Sequence, residues 1–333
     1  MRAAWYEQQG AASEVLVVGE MTAPSPAPGE VRIRVAASGV NPGEVKKRSD
    51  AFGIGMPYPR VIPHSDGAGT IEAVGEGVDP ARIGQRVWCF GAQSERPFGT
   101  AAEFVAVPST QAWPLPEGVS FEVGACLGIP GITGHRAVFV AGPVKDRIVL
   151  VQGGAGAVGQ CAVAMARHGG ANVIATVRTE ADAAQARAAG AHVVLRTDNA
   201  SSDEVVELVL AQAPGGIDHV VEVAFDANVF VDERVLRQGG SIAAYATRAA
   251  EPTIPFWLLV FKNVRIDFLG SDDFPAEAKR AAASDLNAAL ASGWPGPRID
   301  ARYALDEIAA AHIAVEQRSV SGRVVVHLES GGG

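Results

Sequence analysis

Residues 147–179 read RIVLVQGGAGAVGQCAVAMARHGGANVIATVRT: an apolar run, a glycine-rich turn, an Ala-rich stretch and a second apolar run. The first run, RIVLVQ (147–152), has the length and β-branched content of a buried strand. Gly154-Ala155-Gly156-Ala157-Val158-Gly159 fits G-x-G-x-x-G and leads straight into a helix expected at about 157–169. NVIATV (172–177) reads as the next strand. In such a unit the first glycine allows the tight turn, the second lets a pyrophosphate approach the backbone, and the third lets helix and strand pack closely. The helix start then aims free N–H groups and its positive dipole end at the phosphates. The segment predicts a dinucleotide site built on Gly154, Ala155, Gly156, Ala157, Val158 and Gly159.

The end of the second strand bears on which dinucleotide. An NAD site usually has Asp or Glu about 20 residues on, accepting from the adenosine ribose hydroxyls. Here the chain reads Thr176-Val177-Arg178-Thr179. A guanidinium flanked by hydroxyls binds a 2′-phosphate through charge-assisted hydrogen bonds, whereas an acid repels it. The pattern points to NADPH over NADH, against the plainer reading of Arg178 as a solvated cation. Arg196, at the end of the third strand, is a candidate to cap the adenine from the other side.

Beyond this unit the alternation continues. HVVLR (192–196), IDHVVEV (217–223) and SIAAYA (241–246) read as strands, with helices expected at 180–190, about 202–213 and about 227–237. Apolar strands alternating with helices predict a parallel sheet covered on both faces. Residues 1–125 have a different texture. Short alternating runs such as EVRIRVAA (30–37), GTIEAVG (69–75), QRVWCFG (85–91) and AEFVAVP (102–108) are separated by Gly and Pro, as in a compact barrel-like domain. The last stretch, 268–333, offers helices at 275–292 and 305–317 and a strand at 322–328. It is too short for a domain and is expected to pack back onto the N-terminal one. The final Gly331-Gly332-Gly333 reads as disordered.

Composition excludes some functions. The formal net charge is -9 and no basic cluster stands out, so nucleic-acid binding has no electrostatic support. No apolar run reaches the roughly 18–20 residues that span a bilayer. The start, MRAAWYEQQG, lacks a signal-peptide core, and a cytoplasmic location is expected. Cys89, Cys126 and Cys161 form no C-x-x-C pair and read as reduced, mostly buried small hydrophobes.

SGVNPGEVKKRSD (38–50), VIPHSDGAGTIEAVGEGV (61–78), GQRVW (84–88), LGIPGITGHRAV (127–138) and the GGAGAVG loop occur in order. Together they resemble the zinc-independent quinone oxidoreductase (zeta-crystallin-like) branch of the medium-chain dehydrogenase/reductases, over nearly the whole chain. The resemblance implies an α/β fold: a Rossmann doubly wound parallel sheet plus a GroES-like β-barrel domain. It implies a GroES-like domain at 1–124, a Rossmann NADP-binding domain at 125–266, and a return to the first domain at 267–333. It also implies a homodimer, through edge strands of the Rossmann sheet around 241–267.

Site residues carried over from the family are expectations of the same kind. Thr133 is expected near the nicotinamide, and Asn41 along the substrate site, where an Asx-turn before Pro42 is the plainer role. Lys46 is a candidate to contact the cofactor phosphate or donate to a carbonyl oxygen, and Phe52 to floor a quinone pocket. His64 is a candidate proton shuttle. Asn228, Tyr245, Ala246 and Thr247 match positions that cup the nicotinamide and its ribose. Ser271 and Arg323 match cofactor- or substrate-facing contacts, Arg323 as a phosphate partner. Relatives often have Gly where Ala246 stands.

In the alcohol dehydrogenases of the superfamily the catalytic zinc ligands fall at Asn41 and Ser65-Asp66, and His64 lies one residue away. A structural zinc lobe falls near 89–100, which offers only Cys89. Catalytic zinc needs three protein ligands, so no metal is expected, and without a Lewis acid alcohol oxidation is disfavoured. The leading reading is an NADPH-dependent reductase of quinones or related α,β-unsaturated carbonyls. Its rivals are a 2-enoyl-thioester reductase, weakly favoured by Lys46-Lys47-Arg48, and an NADPH-binding sensor or structural protein with little turnover.

Overall fold

The computed structural model describes residues 1–328, so the triple-glycine tail lies outside the described residues. The chain forms two compact units: Pro130–Gly296, and Met1–Ile129 together with the chain from Pro297 onward.

In Pro130–Gly296 six parallel strands lie side by side in the order Val193–Arg196, Asn172–Val177, Ile148–Val151, Ile217–Glu222, Leu236–Ala244, Arg265–Phe268. Within Ile148–Val151, Asn172–Val177 and Ile217–Glu222 successive residues are buried rather than alternate ones, as when helices cover both faces of a sheet. The helices Ala157–His168, Glu180–Ala188, Ser202–Gln212 and Phe225–Val235 follow the first four strands in sequence, as expected. Leu150, Ile174, Val220, Phe225, Val229 and Ile242 belong to one continuous core. The strand order reverses between Ile148–Val151 and Ile217–Glu222, and such switch points are where open α/β sheets bind ligands, at the carboxyl ends of the strands.

In the other unit the strand Glu30–Val40 is central. It pairs antiparallel with Asp66–Val74, with Phe104–Pro108 and with the late strand Arg323–His327, Val324 facing Val40 and His327 facing Ala37. Ile33, Ile71, Val105, Val324 and Val326 share its core. The chain does return to the first unit, but later than residue 267. Helix Ala276–Ala291 stays with the parallel sheet, because its buried face of Ala282, Ala283 and Leu286 packs there: a Cβ on Gly131 would lie 2.7 Å from a Leu286 methyl. His135 Nε2 also meets Asp285 Oδ2 at 2.9 Å. The return is at Pro297, and the first unit runs to Ile129 rather than residue 124.

Candidate functional site

The glycine turn follows the strand Ile148–Val151. Gly153, at φ +67°, takes the left-handed conformation that reverses the chain. A Cβ at Gly159 would sit 2.2 Å from the Gly153 carbonyl oxygen, so only glycine allows helix Ala157–His168 to close onto the turn. A Cβ at Gly154 would meet that of Ala175, on the neighbouring strand, at 2.7 Å. Gly156 differs: it is exposed, and its Cβ would find nothing nearer than the Gly153 oxygen at 3.4 Å. Gly156 is also the N-cap of the helix, and no side chain caps it. Ala155 is buried, Ala157 and Val158 are half-buried, and the first-turn amides are the groups a phosphate needs.

At the end of Asn172–Val177, Arg178 is exposed and no side-chain partner holds its guanidinium among the described residues. The flanking hydroxyls are used elsewhere. Thr176 Oγ1 donates to Gln152 Oε1 at 2.6 Å and accepts from the Gly153 N–H at 3.1 Å. Thr179 Oγ1 caps the next helix by accepting from the Asp182 N–H at 3.1 Å. Arg178 is therefore exposed with its guanidinium unengaged, whereas both hydroxyls already have protein partners. Arg196 lies on the adjacent strand, but Asp198 engages it through Nε at 3.2 Å and Nη2 at 2.9 Å, so its charge is already answered.

Thr133, in the helix Gly128–Phe139, is 5% exposed, and its Oγ1 has no hydrogen-bond partner. A buried hydroxyl left unpaired is costly, and a ligand polar group would satisfy it. Tyr245, Ala246 and Thr247 line one depression of about 290 Å³ with Phe225, Phe268 and Gly270; Ser271, next in the chain, opens a short 3-10 turn and is not among its lining residues. Burial and the nearby Glu222 push the Tyr245 phenol above its usual range. Thr247 Oγ1 donates to Ala249 O at 3.0 Å, and the Ala246 carbonyl accepts from the Phe225 N–H at 3.2 Å. Asn228 donates to Glu222, with Nδ2 at 3.1 Å from each carboxylate oxygen.

The residues expected from the first unit form three separate groups. Lys46 and Phe52 are both exposed, with Nζ 5.6 Å from the ring centre. Phe52 is thus a surface ring rather than core packing. Asn41 and Arg323 meet in the interior, at 4% and 2% exposure. The Asn41 main-chain N–H donates to Glu44 Oε2 at 2.7 Å, its side-chain amide donates to Asp66 Oδ2 at 2.8 Å, and its Oδ1 accepts from Arg323 Nη1 at 2.8 Å. Arg323 also donates to Val40 O at 3.1 Å and lies 3.8 Å from Asp66 Oδ2. Two expectations are corrected here. Arg323 is a buried tie inside its own unit rather than a phosphate contact, and the Asn41 amide is consumed by protein groups rather than offered to substrate. Burial raises Asp66 to about 7, with Glu44 adding to the shift and Arg323 opposing it, and burial likewise raises Glu44.

His64 is corrected too. It is fully buried at φ +77°, with Nδ1 2.8 Å from Ser38 Oγ and Nε2 3.0 Å from His312 Nε2. Burial, then His312 and Arg323, hold it well below the usual histidine range. Both nitrogens are engaged by protein groups, solvent does not reach the ring, and burial disfavours its protonated form, so the ring sits as a buried structural link and not as a solvent-facing shuttle. Cys89, Cys126 and Cys161 are buried, as expected, and none is in a disulfide among the described residues. Among the described residues no group of three or more His, Cys, Asp or Glu could hold a metal ion, and no helix is long and apolar enough to cross a membrane.

Sequence reasoning passed over Glu44, Gln152, Glu222, Asp232 and His312, all buried polar side chains. Glu222 carried a signal: a carboxylate ending an apolar strand is expensive unless something holds it. Asp232, among the apolar residues of a helix, carried none that spacing alone resolves.

Known proteins give a consistent picture. The alcohol dehydrogenase GroES-like domain model matches residues 27–117, and the zinc-binding dehydrogenase model matches residues 157–283. Quinone oxidoreductase of Mus musculus is 31% identical over 315 residues, covering 94% of this chain and 93% of its own. Among solved structures, a mycobacterial quinone oxidoreductase superposes with a TM-score of 0.83 at 28% identity, covering 98% of this chain and 99% of its own, and a mycobacterial structure complexed with NADPH gives the same values. An NAD-dependent alcohol dehydrogenase superposes at 0.85 with 25% identity, covering 99% of this chain and 100% of its own. The two domain matches, the glycine turn and the full-length likeness agree: the chain belongs to the zeta-crystallin-like quinone oxidoreductase family of the medium-chain dehydrogenase/reductases and is an oxidoreductase working with a nicotinamide cofactor.

Proposed function

We propose that this oxidoreductase uses NADPH to reduce quinones or related α,β-unsaturated carbonyls, and that it does so without zinc. The observation that carries the reading is the exposed, uncapped start of helix Ala157–His168 at Gly156, with the outward guanidinium of Arg178 at the end of the next strand. The chemistry supplied by a bound nicotinamide dinucleotide is hydride transfer. The chain's own residues bind, orient and neutralise. First-turn amides from Gly156 onward take the pyrophosphate, and Arg178 takes the 2′-phosphate. Thr133 Oγ1, buried with no protein hydrogen-bond partner, has a hydrogen bond to give near the nicotinamide. Lys46 beside Phe52 pairs an ammonium with a ring face, suited to a flat acceptor with a polarised carbonyl.

The zinc-free reading rests on the residues at the metal positions. Asn41 is bonded through both ends of its amide, and the Ser65 N–H donates to Glu44 Oε1 at 2.6 Å. The carboxylates that remain, Glu44 and Asp66, are hard ligands already shared with Asn41 and Arg323.

The test is steady-state oxidation of NADPH and NADH against a panel of quinones, enones and an enoyl thioester, before and after dialysis against a strong chelator. Quinone turnover with NADPH that survives chelation is expected. Arg178→Ala should weaken NADPH but not NADH, by about 1.5–3 kcal/mol, on the order of ten- to a hundredfold in Kd. Equal NADH and NADPH affinity in the native protein, or activity restored only by Zn²⁺, would sink the corresponding half. A preference for the enoyl thioester would move the substrate class.

The reading includes a homodimer. Arg265–Phe268 is an edge strand whose Phe268 is 70% exposed, and Trp257 and Phe261, in the preceding helix Phe256–Phe261, are 66% and 71% exposed. An open apolar edge of this kind is a template for pairing with a second copy. Light scattering should give twice the chain mass, falling to one chain in Phe261→Asp.

A further inference from the structure

We propose that Asp232 holds a proton at neutral pH and acts as a positioning residue, tying the glycine turn to Glu222, and through it to the start of helix Phe225–Val235, by a one-way chain of hydrogen bonds that ends on Glu222. The inference rests on the dinucleotide reading of that turn. The chain begins at the Gly153 N–H, which donates to Thr176 Oγ1 at 3.1 Å. The Thr176 hydroxyl donates to Gln152 Oε1 at 2.6 Å, and Gln152 Nε2 donates to Asp232 Oδ1 at 2.9 Å. Each donor has one acceptor, and the direction never reverses. Asp232 next meets Glu222. Glu222 has no need of a proton of its own: it accepts from the Ala224 N–H and from Asn228 Nδ2 at 3.1 Å. Asp232 Oδ2, by contrast, has no donor at all.

Two interacting carboxylates, both fully buried, cannot both be ionised without a cation between them. Neither forms an ion pair among the described residues. The titratable groups facing the pair from the neighbouring elements are Tyr245 and, beyond it, Cys161, both neutral at pH 7 and neither a counter-charge. One proton resolves every deficit. Placed on Asp232 Oδ2, it turns the orphaned acceptor into a donor to Glu222 and leaves Oδ1 to receive Gln152. Burial, reinforced by Glu222, pushes Asp232 well above the carboxylate range, in the same direction. The result is a continuous line from Gly153, at the phosphate turn, to Glu222, which Ala224 and Asn228 also bond at the start of the helix that follows the adjacent strand. Gln152 and Glu222 cap the carboxyl ends of the two strands that flank the topological switch point. The proton therefore holds the two loops in one register.

The test uses Asp232→Asn, whose amide donates where the acid O–H would and accepts where Oδ1 does. Asp232→Ala and Thr176→Val cut the chain at either end. NADPH affinity is read by titration, with thermal melts and circular dichroism confirming the fold. Asp232→Asn should bind within a fewfold of native, while each cut should cost about tenfold. The double cut should cost no more than the larger single cut, because both break the same line. Infrared difference spectra of native protein minus Asp232→Asn at pH 8 should show loss of a protonated-carboxyl C=O band. Asp232→Ala binding as tightly as native, Asp232→Asn as weak as Asp232→Ala, additive cuts, or an infrared difference showing only an ionised carboxylate would each overturn the proposal. If the native protein binds neither NADPH nor NADH, the functional reading fails, and the infrared result still decides where the proton lies.

Discussion

Each unit buries a pair of carboxyl groups, and the two pairs are held differently. In the first unit Glu44 and Asp66 share the interior with Asn41 and the guanidinium of Arg323. In the second, Asp232 and Glu222 have amides and a hydroxyl around them but no cation. The difference shows in their acidity. Asp66, opposed by Arg323, is raised to about 7, whereas Asp232, beside only another carboxyl, is driven well above the carboxylate range. A buried guanidinium offsets part of the desolvation of an acid, and where none is present a proton must do so. The first arrangement is a fixed strut between strand Arg323–His327 and the helix start at Asn41. The second is a hydrogen-bonded line under a ligand loop, and its one proton leaves a single negative charge, on Glu222, instead of two.

Removing the cation tests this contrast most severely. Arg323→Met removes the guanidinium that donates to Asn41 Oδ1 and leaves two acids without a counter-charge. Breaking a buried pair in this way costs about 3–5 kcal/mol, to be read from urea unfolding midpoints. A variant as stable as the native chain would mean that protons alone hold Glu44 and Asp66, and the distinction between the units would disappear.

The turn held by the second cluster should separate fold from binding. Gly159→Ala drives a methyl onto the Gly153 oxygen, where the neighbour is backbone and cannot rotate away; a loss of about 1–3 kcal/mol in stability is expected. Gly156→Val meets only open space and that oxygen at 3.4 Å, so the melt should move little while NADPH titration shows affinity collapsing. Normal affinity in Gly156→Val would place the phosphates elsewhere.

The smallest effect sharpens the first cluster by pH. Asp66 titrates near 7 in the folded chain, against 3.8 unfolded. Between these values the folded state holds a proton that the unfolded state has released, so this group's contribution is complete below the lower value and is lost as pH rises through the upper one. Asp66→Asn has no such proton to lose. Its melting midpoint relative to native should therefore rise steadily from about pH 4 to 7, and a constant difference across that window would show that Asp66 is ionised throughout.

The sequence by itself determined the parts whose physics is local. Strand and helix periods located Ile148–Val151, Asn172–Val177 and Ala157–His168 closely, because apolar spacing along a short segment is what burial selects. The glycine turn was legible because its spacing sits between a strand and a helix in sequence, and Gly159 meets its constraint, the Gly153 oxygen, only six residues away. The basic end of the second strand was visible for the same reason. What only the tertiary structure decided is where the polar side chains end. Arg323 lies 282 residues from Asn41 in sequence, and nothing near either marks them as partners. Helix Ala276–Ala291 could have joined either unit until its apolar face met Gly131 and its neighbours. Asp232 and Gln152 are 80 residues apart. A buried charge or amide is tolerable only with a partner, and that partner is supplied by whichever strand the sheet topology brings alongside, so the fold and not the local pattern assigns it.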